Sequence, residues 1–461
     1  MYQKDLGNGL LLRWAKPEDI PKVGNAMVDV FSPPDTRLDW INAWYLRFAD
    51  GYAGFMTSKD CVVIVDTTKE GEPVVGFTSY WQETHTYEGI PYKAGRPEFV
   101  GIIPDPEYRG KRLQQHIMDA LHARAEEDGA LVQVINGINW YYRQFGYDYA
   151  MEFGQRSKVM LDSVPDVKEK EGEVLKHRRA TLDDVDTILD IDKTQQSGAA
   201  VYYPLAREWV ISQVMDHSQK EENPDHFFLR HVIMFQDAND NIVGYAMINN
   251  LRLEKTGFIA VYSMGLVDVT INKKALMSSL RNIISFAKSQ VDAEIWANAK
   301  GKALAFHSSQ WHPVVESLPS DMRLACKIPF EDPSYYVRVP DLVQFIKHIL
   351  PALNQRLKQS QSHCKYSGSI KVSNYTPRYP GFELKIENGV ISEVNRFIKR
   401  DQLPDDTIAY FPPYVFLQSL FGRKSIDELN SVLPDVHMEA DVKNVLDVIF
   451  PKVKMVMAHL M

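Results

Sequence analysis

Three cations, Arg109, Lys111 and Arg112, fall within four residues in the stretch PEYRGKRLQ (106–114). An apolar segment, EFVGII (98–103), precedes it and is ended by Pro104; after it Leu113, Ile117, Leu121 and Ala125 recur every four residues. That order predicts a buried strand, a turn and an amphipathic helix that stops near Gly129. The cations then stand at a helix N-terminus, where the first N–H groups have no internal acceptor and the dipole is positive. Positive side chains are unfavourable there unless an anion neutralises them, so this spacing supports phosphate binding. The competing reading is a solvated basic turn.

A second segment, LVQVINGINWYYRQFGYDYAMEF, runs from a strand (131–135) into the aromatic-rich turn YYRQFGY, which by itself reads as a packed aromatic corner. Little else has the right types at the right spacing. Cys61, Cys326 and Cys364 are far apart, share no metal-ligand spacing and read as ordinary reduced thiols. His307 and His312, in AFHSSQWHP, make a poor metal site and read as a polar loop. No metal is expected.

The chain that must position these groups has 461 residues, enough for two to four domains. Its 45% hydrophobic and 24% charged content are those of a soluble globular protein. A net charge of −8 disfavours unaided nucleic-acid binding and weakly favours a cationic or amine-bearing substrate. The N-terminus lacks the apolar core of a signal peptide, and no uncharged stretch reaches the ~20 apolar residues needed to cross a bilayer. A cytoplasmic location is expected.

The sequence repeats itself. LRWAKPEDIPKV (12–23) resembles HRRATLDDVDTI (177–188), with Arg13 matching Arg178 and Asp19 matching Asp184. CVVIVDTTKEGEPVVGFTSYW (61–81) resembles HVIMFQDANDNIVGYAMIN (231–249), with Gly76 matching Gly244. The offsets, 165 residues from Arg13 to Arg178 and 168 from Gly76 to Gly244, are nearly equal and argue for a duplicated domain. The second copy lacks an arginine–glycine loop: IAVYSMGLVDV (259–269) passes through TINKK into ALMSSLRNIISFAKS, and His307 stands near the place of Tyr142. It reads as a degenerate, structural copy. Charged or proline-bearing connections at 162–177 and 328–341 mark boundaries. The expected domains are 1–163, 164–330 and 331–461. In the last, IKVSNY, FELKIENGVISEVN and TIAYF read as strands, with Asn388-Gly389 as a hairpin turn. Gly422 reads as a helix C-cap, Ser425 and Glu428 as a capping box, and DVKNVLDVIF as a final helix.

Together, P-E-Y-R-G-K and Y-R-Q-F-G-Y at this separation resemble the GNAT acyltransferase superfamily. The whole chain, with a degenerate second copy and a C-terminal α+β block, resembles its Eis-type (enhanced intracellular survival) members. There the last domain is similar to a sterol carrier protein, a likeness that YYVRVPDLVQFI and FLQSLFGRKSIDEL carry here. The resemblance implies an α/β (α+β) fold of two tandem mixed-sheet domains plus that third domain, acetyl-CoA as co-substrate, a small-molecule amine acceptor such as an aminoglycoside or polyamine, and a homo-hexamer.

It also implies roles for residues. Arg109, Gly110, Lys111, Arg112, Leu113 and Gln114 would cradle the cofactor pyrophosphate, with Ile102, Ile103 and Asn136 along the rest of it. Small residues are preferred where Arg112 and Gln114 stand; larger ones keep the backbone donors provided that φ stays helical. Tyr142 matches the general acid and Met461 the terminal carboxylate. Phe31 and Trp40 match the pocket aromatics, whereas the acidic residue before the phenylalanine is here Val30, with Asp29 one position earlier. The implied chemistry is direct attack by a neutral amine, with N–H groups near Ile102 and Ile103 holding the acetyl oxygen and Tyr142 protonating the thiolate. Other readings are a non-catalytic CoA- or lipid-binding protein on the same fold, and an acetyltransferase acting on protein lysine.

Overall fold

The computed structural model describes residues 3–152, 154–166, 174–196, 198–215, 230–249, 257–268, 273–299, 302–326, 334–400 and 405–457. The chain forms two compact units, one of residues 1–151 and 334–453, the other of 152–333 and 454–461. No helix of the described residues is long and apolar enough to cross a membrane.

The first unit is built on a long hairpin, Val74–Tyr87 with Ile90–Ile102, turned at Glu88 and Gly89. Both turn residues have positive φ, 46° and 79°, the conformation that matches the right-handed twist of paired strands. The strands Gln3–Asp5, Leu10–Trp14 and Cys61–Asp66 extend the sheet on one side, all antiparallel. On the other side Val132–Ile135 pairs in parallel with the long hairpin, and Ser334–Arg338 pairs antiparallel with Val132–Ile135. The helix Leu113–Glu127 lies on this sheet through Leu113, Ile117 and Ala120. It approaches closely because two strand positions beneath it are glycine. A Cβ on Gly76 would meet Ile117 Cδ1 at 3.0 Å, and one on Gly95 would meet the Ala125 Cβ at 3.0 Å.

The C-terminal part of the first unit holds a four-stranded sheet in the order Val390–Phe397, Gly381–Glu387, Gly368–Ser373, Ile408–Tyr410. The turn at Asn388-Gly389, the capping box of Ser425 with Glu428, and the left-handed Gly422 after the helix Phe416–Leu420 form as their sequences predict.

In the second unit seven strands pair in the order Leu324–Ala325, Ser157–Met160, Ala303–Phe306, Phe258–Leu266, Ile242–Asn249, His231–Gln236, Lys176–Arg179. The helix Lys273–Ser289 packs on this sheet. Strand exchange displaces the expected boundaries: 157–160 belongs to this sheet, and 334–338 to the sheet of the first unit.

The internal repeat has a physical counterpart. Arg13 forms a bidentate ion pair with Asp19, whose carboxylate also accepts the Lys16 N–H at 2.7 Å. Arg178 does the same with Asp184 through two bonds of 2.7 Å, and Asp184 accepts the Thr181 N–H at 2.8 Å. The copies differ where a ligand could enter. Only two of the four residues of Val132–Ile135 pair with the neighbouring hairpin strand, Val132 with Ala94 and Gln133 with Gly95. All four residues of Ala303–Phe306 pair with Phe258–Val261, and the His307 N–H continues that ladder to Val261 O at 2.9 Å.

Candidate active site

The gap in the first unit follows from that short ladder. Beyond Gly95 the described ladder between the strand Ile90–Ile102 and Val132–Ile135 stops, and a bulge deforms the strand there. Phe99 and Val100 together oppose Thr78, and Phe99 takes φ 57°, a left-handed conformation costly for a bulky residue. Four rings hold it, Trp44, Tyr45, Phe48 and Trp81, with centroids between 4.8 and 6.4 Å away. The bulge brings the consecutive residues Pro97 to Val100 onto the wall of one cavity of about 430 Å³.

Four residues predicted from the sequence, Phe31, Trp40, Asn136 and Tyr142, line that same cavity. Phe31, half-exposed, meets Phe77 edge-on at 6.3 Å. The Asn136 side-chain oxygen is shielded from solvent with no hydrogen-bond partner among the described residues, an acceptor suited to a ligand amide N–H. Tyr142 is buried against Tyr141, Phe145, Tyr147 and Tyr336. Gly137 lets its ring close over the strand exit, since a Cβ there would stand 3.0 Å from Tyr142 Cε2. Burial pushes the Tyr142 hydroxyl far above the ordinary tyrosine range, and the nearby Glu98 carboxylate adds to the shift. It therefore stays protonated and can donate.

Glu98 went unnoticed in the sequence, where it opens the segment read as a buried strand. It lines the cavity beside Tyr142. Burial raises its pKa, the guanidinium of Arg96 at 2.7 Å opposes the rise, and Glu83 adds to it. A fifth of the side chain reaches solvent. Behind it runs a buried polar chain: Arg96 to Glu83 at 3.2 Å, and Glu83 to His85 at 2.9 Å. A carboxylate so placed can accept a proton from a bound amine.

The basic loop is adjacent in structure but does not line this cavity. Among the described residues the N–H groups of Gly110, Lys111, Arg112, Leu113 and Gln114 carry no hydrogen bond, while their neighbours Arg109 and Gln115 donate to Pro106 O and Arg112 O. Five consecutive free donors, with Arg109, Lys111 and Arg112 unpaired in any ion bridge among the described residues, fit a pyrophosphate. One expectation is corrected. Arg112 does not keep a helical φ but caps the helix at φ 52°, ψ 30°, in the left-handed region where a glycine would stand without strain. Gln114 accepts the hydroxyl hydrogen of Tyr141, which ties the helix start to the aromatic turn.

The strand donors divide. Ile103 gives its N–H to Val75 O at 2.9 Å and cannot hold a ligand oxygen. By the alternation of antiparallel pairing the Ile102 N–H faces the opposite way, towards the gap. Met461 lies outside the described residues. In the second copy, ten residues past the start of each strand stand Tyr142 and Pro313, so His307 occupies the place of Asn136 rather than that of the tyrosine. His312 caps the helix Pro313–Ser317, accepting the Val314 N–H, and burial lowers its pKa to about 4. No cluster of metal-ligating side chains occurs among the described residues.

Residues 12–150 match the family model of the acetyltransferase (GNAT) domain. Comparison with curated protein sequences finds no match. Three solved structures share the fold over nearly the whole chain. A GCN5-related N-acetyltransferase from Anabaena variabilis is 14% identical with a TM-score of 0.64, covering 96% of this chain and 97% of that one. A probable N-acyltransferase from Enterococcus faecalis is 12% identical with a TM-score of 0.64, covering 97% and 98%. Eis1 from Mycobacterium abscessus is 11% identical with a TM-score of 0.58, covering 97% and 99%.

Proposed function

We propose that the protein, which carries a GNAT acetyltransferase domain at residues 12–150, moves an acetyl group from acetyl-CoA to an amine held in the 430 Å³ cavity. The observation that carries this reading is the meeting of Glu98 and Tyr142, a carboxylate and a protonated phenol, on the wall of one cavity at the mouth of the strand gap. In the reaction Glu98 takes a proton from the bound ammonium, freeing the neutral amine to attack, or from the adduct after attack, directly or through water. The Ile102 N–H and its neighbours along the gap stabilise charge on the acetyl oxygen. Tyr142 protonates the departing thiolate. Pyrophosphate is held by the free N–H groups of 110–114 with Arg109, Lys111 and Arg112.

The acceptor we infer is an amine on an apolar or aromatic body. Besides Phe31 and Trp40, the wall includes Met27, Leu38, Ile41 and Trp44, and among the described residues Glu98 is its one carboxylate. A polycationic aminoglycoside needs several acids to replace its water, and the described residues of this cavity supply one. The test is thiol release from acetyl-CoA by the purified chain with a panel of arylalkylamines, polyamines, aminoglycosides and a lysine peptide. Amine-dependent release, fastest with arylalkylamines, is expected. Release that no amine accelerates removes the proposal, and preference for an aminoglycoside or peptide removes the acceptor class.

A further inference from the structure

A second cavity of the first unit, about 450 Å³, opens between the helix Leu113–Glu127 and the C-terminal four-stranded sheet. It meets the helix on the face of Gln115, Asp119 and His122, away from the stripe that packs on the catalytic sheet. Its polar groups are unevenly satisfied. Asn374, only 5% exposed, has its amide fixed by a 3.3 Å bond from Nδ2 to Pro380 O, which leaves its shielded oxygen without a hydrogen-bond partner among the described residues. Arg378 and Arg396 line the cavity and have no acidic partner among the described residues. The third guanidinium, Arg338, is engaged with Glu126 and Gln133 at 3.0 Å each.

The acids and the histidine are otherwise occupied. Asp341 caps the helix Leu342–His348 by accepting the Gln344 N–H at 3.0 Å. Asp119 accepts the Gln115 amide at 2.7 Å. His122 bonds Tyr147 at 3.0 Å, and burial with the Arg338 charge holds it neutral. Tyr379 and Tyr414, with ring centroids 4.6 Å apart at 60°, supply an aromatic wall. Two guanidiniums without an acidic partner among the described residues, Arg378 lying 5.5 Å over the Tyr379 ring, an aromatic wall and one buried acceptor describe a single kind of guest.

We propose that this cavity binds a small aromatic anion, with its carboxylate or phosphate on Arg378 and Arg396, its ring against Tyr379 and Tyr414, and a hydroxyl or amide hydrogen donated to the Asn374 side-chain oxygen. Calorimetric titration of the full chain with 4-hydroxybenzoate, 4-hydroxyphenyl phosphate and the uncharged 4-hydroxybenzamide tests it. One or both anions should bind, at least tenfold more tightly than the amide. The double variant Arg378→Ala, Arg396→Ala should weaken the anion at least tenfold and leave acetyl-CoA affinity unchanged. Both arginines are exposed, so that variant should fold, which circular dichroism checks. Asn374→Asp, which replaces the amide by a second acceptor and a negative charge, should weaken the anion too. Binding of neither anion, equal binding of the amide, or indifference to the double variant overturns the proposal. So does displacement of the anion by acetyl-CoA with a joint loss of both affinities, because the cavity would then be part of the cofactor groove.

Discussion

Replacing Arg96 with Met isolates the electrostatic support of Glu98. The guanidinium is 2.7 Å from Glu98 and 3.2 Å from Glu83, and 4% of the residue is exposed. Charges about 4 Å apart at an effective dielectric of ~20 interact by about 4 kcal/mol. Solvent reaches a fifth of the Glu98 side chain, which screens part of that attraction. The sign is upward. The folded pKa of Glu98 is already raised by burial, Arg96 restrains it, and without that cation the neutral acid persists to higher pH. As the general base must be ionised, the acid limb of the pH–rate profile for single-turnover acetyl transfer should move to higher pH. Activity at neutral pH should fall and recover on raising the pH. Stability should fall by about 3–5 kcal/mol, since two carboxylates lose a buried partner, so Arg96→Lys serves as the milder control and should shift the limb less. An unmoved acid limb in a folded Arg96→Met protein would refute the argument that Arg96 acts through Glu98.

Three further outcomes are expected. Tyr142→Phe keeps the ring packing and removes the proton, so turnover should fall by ~10²–10⁴ with a smaller change in acetyl-CoA affinity; unchanged kcat across the pH range would place the proton donor elsewhere. Arg109→Ala with Arg112→Ala should weaken acetyl-CoA binding by roughly 2–4 kcal/mol, read by calorimetry, and unchanged affinity would remove the phosphate role. His307→Ala should leave turnover near wild type in protein matched for folding by thermal melts, because that copy has Pro313 where the catalytic copy has Tyr142. A large loss of kcat at normal stability would mean that the second unit takes part in the chemistry.

What the sequence made legible was local. The strand, basic turn and helix around 106–127, the hairpin at Asn388-Gly389 and the capping box at Ser425 each depend on residues a few positions apart, and each formed as read. The duplication was visible because Arg13 with Asp19 and Arg178 with Asp184 keep one spacing for one ion pair. Distant pairing hid the rest. Glu98 becomes a cavity residue through a bulge that exists only opposite Thr78, some twenty residues away in sequence. The strand at 157–160 joins a partner at 303–306, and 334–338 joins one at 132–135, so sheet membership crosses the boundaries that composition suggested. The left-handed φ of Arg112 was not legible, because most residues prefer a helical φ; the turn that closes on Gly110 and Arg112 requires the left-handed region at both.

The central claim, that Glu98 supplies the base within the aromatic-lined cavity, is tested most directly by Glu98→Gln. The substitution keeps the size and a hydrogen-bonding end while removing the ionisable oxygen. With acetyl-CoA and an accepted amine both saturating, kcat at neutral pH should fall by ~10²–10⁴ while acetyl-CoA affinity changes little. A Glu98→Gln protein that turns over at the wild-type rate with the same acid limb would contradict the account.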